Sequence, residues 1–285
     1  MFYLALSILC SSLIFVVFKY YSIHKVNTLL AIIINYVVAC TVGLLFYEQE
    51  ISLGALMQTA WTPWALALGI MFILIFNVMA ATSQQLGVSV ASVATKMSFV
   101  VPVVLGIFLY DEALAPVHII GVVIALFAVY LSAAKDNGKA VGLSFLLMPL
   151  ILFLGSGFID SAIKYFQEAW VPAEQFPLFS ALVFAAAAMA GAVFSLFKPQ
   201  DSLIRLRTKE ILGGLALGIP NYFSIFFLMQ ALDQGILTSG VIFTINNLAI
   251  VLFSTLLGAV MFKEQLNFRN RLGLVLAIVS ILLVM

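Results

Sequence analysis

The sequence predicts an all-α membrane protein of ten transmembrane helices, built as two inverted five-helix repeats. Three observations predict it: scarce charge, apolar runs of bilayer length, and motifs that recur between the halves. Of the 285 residues, 64% are hydrophobic and 9% are charged, against about 25% charged in a soluble domain. So few charges cannot coat a soluble particle of this size. The runs Phe2–Phe18, Leu29–Tyr47 and Val88–Leu109 each suffice to cross a ~30 Å hydrocarbon layer at ~1.5 Å per residue. They are continuous rather than alternating, which indicates helices and not barrel strands.

Read in order, the apolar blocks predict helices over 2–19, 28–47, 63–83, 88–110, 115–133, 141–166, 175–197, 211–232, 236–262 and 268–285. Connections are short. The longest are 48–62 and 198–210; the first has an amphipathic pattern (Ile51, Leu53, Leu56, Trp61, Trp64). Trp61 and Trp64 suit a membrane interface. Met1 leads into an apolar stretch with no basic segment before it, so the first helix reads as a permanent span and not a cleaved signal. Lys135-Asp136-Asn137-Gly138-Lys139 is the clear polar interruption near the middle.

That midpoint divides two similar halves, 1–135 and 136–285. Phe18-Lys19-Tyr20 follows the first span and Ile163-Lys164-Tyr165 the sixth, 145 residues later. Glu112, Leu114 and Gly121 recur as Glu264, Leu266 and Gly273, 152 residues later. Two matches at nearly one offset argue for an internal duplication. Five spans per copy force the second copy into the membrane upside down, the common architecture of secondary transporters.

Charge distribution orients the chain. Of the 13 Lys and Arg residues, Lys19, Lys25, Lys135, Lys139, Lys198, Arg205, Arg207, Lys209, Lys263, Arg269 and Arg271 flank odd-numbered loops. The even loops carry Glu48, Glu50, Asp111, Glu112, Glu168, Glu174 and Asp233. Basic short loops stay cytoplasmic, so both termini are expected outside a bacterial inner membrane.

A net charge of +1 gives no reason to expect a nucleic-acid partner. Cys10 and Cys40 fall within spans and read as small apolar residues, not a disulfide or metal site. His24 and His118 are isolated and no paired Asp motif occurs, so neither an enzyme nor a metal or cofactor site is expected.

Lys96 is the most informative residue. It lies about eight residues into the fourth span, ~12 Å from the edge. A charge there costs at least ~2.5 kcal/mol and should face a cavity or partner. Two readings compete: its ammonium binds an anionic substrate group, or it snorkels or bonds carbonyls freed around Pro102. Thr244 takes the equivalent place in the ninth span, with Asn246 and Asn247 beyond. Asp160, a carboxylate within the sixth span, reads as a proton-coupling group or a partner for Lys96, or else as an i,i+4 partner of Lys164.

Gly155-Ser156-Gly157-Phe158 with Lys164 resembles the Gly-Ser-x-x…Lys signature of EamA-type transporters, in the drug/metabolite transporter superfamily. The Glu-x-Leu-x6-Gly segments resemble the ends of that family's fourth and ninth spans. The first span departs, with Cys10-Ser11-Ser12 in place of Trp-Gly-Ser. Members are also usually drawn with both termini in the cytoplasm, opposite to the charge pattern here. The resemblance implies a central cavity lined by spans 1, 3, 4, 6, 8 and 9, and transport of amino acids, other metabolites, nucleotide sugars or sugar phosphates.

Polar residues on those spans are Ser11, Ser12, Asn77, Gln84, Ser92, Thr95, Ser156, Asn221, Tyr222, Gln230, Thr244 and Asn247. Singly, each is more often a helix–helix hydrogen bond than a ligand contact. Together with Lys96 they form the expected substrate-binding set, with Phe15 and Phe223 as cavity walls. Pro220 is expected to bend the eighth span and free carbonyls. Gly214 and Gly218 read as close packing. Glu112 and Glu264 read as charges capping helix starts, not as binding residues. The expected function is secondary transport of a small polar solute bearing an anionic group, coupled to protons or another ion, within a lipid bilayer. A channel or non-transporting sensor is the alternative.

Overall fold

The computed structural model describes residues 1–47, 56, 59–110, 116–134, 143–172, 175–197, 207–234, 236–237 and 239–284. Glu112, the linker Lys135–Lys139, and most of the 48–62 and 198–210 connections lie outside these. The described helices are α1 (Phe2–Ile23), α2 (Thr28–Leu45), α3 (Thr62–Gln85), α4 (Val88–Met97), α5 (Val100–Tyr110), α6 (Pro116–Ala133), α7 (Leu143–Ala169), α8 (Phe176–Leu196), α9 (Thr208–Asp233), α10 (Ser239–Phe262) and α11 (Phe268–Val284). Nine of the described stretches are long and apolar enough to cross a bilayer, α4 running with α5 as one of them. α11 adds a shorter apolar helix of 17 residues. The chain is an all-helical, multi-pass membrane protein.

The predicted single helix over 88–110 is two. α4 stops at Met97 and α5 starts at Val100. Pro102 has no N–H to offer the Ser98 carbonyl four residues back, and its ring crowds that carbonyl. Val101 N donates to Ser98 O instead, at 2.9 Å, and Ser98 Oγ donates to Thr95 O. At Pro220 the helix does not stop: α9 continues through it. Trp61 is also not an interfacial ring. It is 2% exposed, packs edge-on to Phe179 and donates from Nε1 to Gln175 Oε1 at 3.1 Å. Trp64 is exposed.

The described chain forms two compact units, and each takes segments from both sequence halves. The first comprises 1–20, 78–158 and 223–285; the second comprises 21–77 and 159–222.

In the first unit α6 pairs with α11. A β-carbon on Gly121 would stand 2.3 Å from Val284 Cγ2 and 3.4 Å from Ser280 O, and one on Gly273 would stand 2.6 Å from Ser132 N and 3.0 Å from Ala128 O. These contacts are reciprocal. Shifted by 152 residues, Gly121 becomes Gly273, Ala128 becomes Ser280 and Ser132 becomes Val284. The start of each helix meets the end of the other, so the pair runs antiparallel. The seam is sealed at one end by Asn267 and Asn270. Their backbone N–H groups and side-chain oxygens bond reciprocally at 3.1 and 2.8 Å, a capping box for α11. Their side-chain amides donate to carbonyls left open at the end of α6, Asn267 to Ala134 and Asn270 to Ser132 and Ala134.

In the second unit α2 pairs with α8 by the same rule. A β-carbon on Gly43 would stand 3.6 Å from Ala181 Cβ, and one on Gly191 would stand 2.7 Å from Ile33 Cγ1; a shift of 148 residues exchanges the two contacts. A third match follows. A β-carbon on Gly69 of α3 would stand 2.7 Å from Val183 O and 2.5 Å from Ala186 Cβ, and one on Gly218 of α9 would stand 2.9 Å from both Asn35 O and Val38 Cβ. Small residues let helices approach closely where lipid supplies no hydrophobic drive. The expected packing role of Gly214 and Gly218 agrees, since Gly214 also abuts Ile34. Asn27 caps the start of α2, its Oδ1 accepting the Leu30 N–H at 3.3 Å.

Candidate substrate-binding site

The site is best built from the break between α4 and α5. Lys96 lies half-buried in the last turn of α4. A cation there is favoured by the negative end of the helix dipole. Thr95 precedes it; its hydroxyl is buried and accepts or donates no hydrogen bond. Gly157 of α7 packs onto the break: a β-carbon on it would stand 2.4 Å from Val101 Cβ and 2.6 Å from Ser98 O. Only glycine permits that approach. It brings the adjacent Ser156, buried and with its hydroxyl also unpartnered, to the same region of the first unit.

Buried polar atoms in folded proteins are almost all hydrogen-bonded. Among the described residues six side chains depart from this: Ser12, Asn35, Thr95, Ser156, Glu210 and Thr255. Three of them, Ser12, Thr95 and Ser156, belong to the set expected from sequence, and all three lie in the first unit. A serine or threonine in a helix can normally satisfy itself on a carbonyl three or four residues back. Ser92 does so, donating to Ser89 O at 3.0 Å. Thr95, Ser12 and Ser156 do not.

The remaining predicted residues divide by unit. In the first, Ser11, Thr244 and Asn247 are half-buried. Beside them Ser7, which sequence reasoning missed, donates to Ser224 O at 2.8 Å and approaches Asn246 Oδ1 at 3.4 Å. Phe15 is buried, and its carbonyl accepts a hydrogen bond from Ser83 Oγ at 2.8 Å. Phe223 stacks on Phe227. In the second unit Asn77 donates to Ile73 O in its own helix at 2.7 Å, so its amide group is engaged internally. Asn221 is buried and donates to Asn35 Oδ1 at 3.1 Å. Tyr222 stacks on Phe46. Asp160 is exposed on α7.

Two further carboxylates matter. Glu210, in the first turn of α9, is 3% exposed. Its Oε1 accepts the Asn27 N–H at 3.3 Å and lies 3.8 Å from Lys209 Nζ; its Oε2 has no hydrogen-bond partner. Nothing in its loop-edge position signalled burial. Glu264 acts as expected, as a cap, on the start of α4. It lines a polar cleft of about 530 Å³ with Lys19, Gln85, Ser89, Ser132, Asn267 and Asn270 among the walls.

No protein-family model matches the chain. An uncharacterized protein of Haemophilus influenzae is 24% identical over 284 residues, 98% of this chain and 95% of that protein. A protein of known crystal structure, 19% identical, superposes with a TM-score of 0.63 over 99% of this chain and 94% of its own. That likeness extends to the fold alone.

Proposed function

We propose that this protein is a secondary transporter of the EamA type, moving a small polar solute with an anionic group by alternating access. The observation that carries the reading is the reciprocity of the glycine contacts. Gly121 and Gly273, Gly43 and Gly191, and Gly69 and Gly218 repeat each other's environments at offsets of 148 to 152 residues. Equivalent helices that pair antiparallel with exchanged contacts are what a twofold axis in the membrane plane produces, as self-complementary contacts do in a symmetric dimer. This supports two inverted five-helix copies, 1–135 and 136–285. Such copies exchange conformations by symmetry, and a site between equivalent elements is then open to either side in turn.

Lys96 supplies the positive charge in this reading, and Ser12, Thr95 and Ser156 supply hydroxyls that the protein itself leaves unmatched. Asp160 is the proton-coupling candidate. Odd-numbered connections face the cytoplasm and both termini the outside.

The test is counterflow in liposomes preloaded with amino acids, organic acids or phosphorylated metabolites. Saturable exchange is expected. Flux that rises linearly with concentration would make the protein a channel, and absence of flux for all three classes would remove the transport reading.

A further inference from the structure

Glu264 stands between α10 and α11, outside both helices, yet it is bound to the start of α4. Its Oε1 accepts the Val88 N–H at 2.7 Å. Its Oε2 accepts the Ser89 hydroxyl at 3.2 Å and the Ser89 N–H at 3.4 Å. An N-cap is ordinarily supplied by the residue that precedes the helix. Here that residue is Gly87, which has no side chain to cap with. The cap comes instead from 176 residues further along.

The surroundings are shaped to admit the carboxylate. A β-carbon on Gly258 would stand 2.7 Å from Oε2, and one on Gly87 would stand 3.0 Å from the carboxylate. Gly87 has φ of +117°, a conformation that favours glycine. Two glycines from separate elements thus leave room for one charged group. The polar cleft of about 530 Å³ reaches the same carboxylate, so its bonds can exchange with water.

What the cap holds is the helix that carries Ser92, Thr95 and Lys96. α4 has 10 residues, fewer than three full turns at ~3.6 residues per turn. Its carboxyl end is broken at Ser98. Its placement therefore depends strongly on how its amino end is fixed.

We propose that Glu264 is a positioning residue: it anchors α4 and so sets Thr95 and Lys96 in the binding arrangement. The binding part rests on the transport reading, whereas the anchoring is measurable without any substrate.

The test places a cysteine at Thr95 (Thr95→Cys) in a background with Cys10→Ser and Cys40→Ser, in liposomes, and follows its reaction with a small water-soluble maleimide. Loss of a charged cap in Glu264→Ala is expected to raise the rate about tenfold. Gly258→Ala, which crowds the carboxylate while leaving its charge, should raise it as well. Glu264→Gln keeps an acceptor for Val88 N and should fall between. For a solute the parent protein transports, Glu264→Gln should raise KM several-fold with little change in maximal rate.

Unchanged labelling in Glu264→Ala and Gly258→Ala overturns the assignment. So does an equal rise at Thr62→Cys, at the start of α3, which would mean general loosening. Should Glu264→Ala not fold, Gly258→Ala and Glu264→Gln decide. Failure of the transport reading appears separately, as absent counterflow in the parent protein whatever the labelling rates.

Discussion

Ser280 Oγ donates to the carbonyl of Gly121 at 2.8 Å, where α11 lies too close to α6 for a side chain at position 121. The matched glycine, Gly273, faces a harder surface. Its missing β-carbon would meet backbone at Ser132 and Ala128, whereas at Gly121 the nearest atom is the Val284 side chain at the helix end. Gly121→Ala and Gly273→Ala should both destabilise, by about 1–3 kcal/mol for overpacking, with Gly273→Ala the more severe. Thermal unfolding in detergent checks this; an equal or reversed order would mean the α11 start moves more freely than its contacts indicate.

Asn270 offers a second stability test. Its amide donates to Ser132 O at 2.7 Å and Ala134 O at 2.9 Å, while its Oδ1 caps Asn267 N. Asn270→Ala should cost about 1–2 kcal/mol, as lost caps do. Asn270→Asp keeps the cap but sets a negative charge against those carbonyls, so it should be at least as damaging. A milder aspartate would show that the amide bonds to α6 contribute little.

The unpartnered hydroxyls predict an opposition between stability and activity. An unsatisfied buried polar group replaced by an apolar one of similar shape is neutral or stabilising. Thr95→Val and Ser156→Ala should therefore leave the melting temperature unchanged or raise it, while lowering uptake. A lower melting temperature with normal uptake would make these hydroxyls structural.

Lys96 is tested by charge removal. Lys96→Ala should abolish uptake and ligand-induced thermal stabilisation while membrane insertion stays intact. Unchanged transport would assign the ammonium to the carbonyls at the α4–α5 break, the competing reading.

Much of the fold was legible because lipid imposes one pattern on every span, and helices can be read as apolar runs. The recurrence of Glu112, Leu114 and Gly121 as Glu264, Leu266 and Gly273 was legible because charge and glycine stand out against leucine and valine. The break at Ser98 was missed although Pro102 announced it, since a proline within a helix can break it, as here, or be absorbed, as at Pro220. Trp61 was misread because tryptophan serves interfaces and cores alike, and only Phe166 and Phe179 around it decide. For the candidate site, residue type on the spans that the family resemblance implies singled out Ser12, Thr95 and Ser156, but not that their hydroxyls go unmatched. Ser7, Asn35 and Glu210 were missed because pairing across distant helices leaves no local trace.

The glycine seams also bear on how the protein is made. α2 packs against α8 and α6 against α11, so each waits for a helix encoded well over a hundred residues downstream. At translation speeds of about 5–20 residues per second, the wait is roughly ten seconds or more. During it the newly inserted first five spans must hold the faces carrying Gly43, Gly69 and Gly121 toward lipid or toward the insertion machinery. Biogenesis, and not only the finished fold, therefore depends on the second half arriving in time.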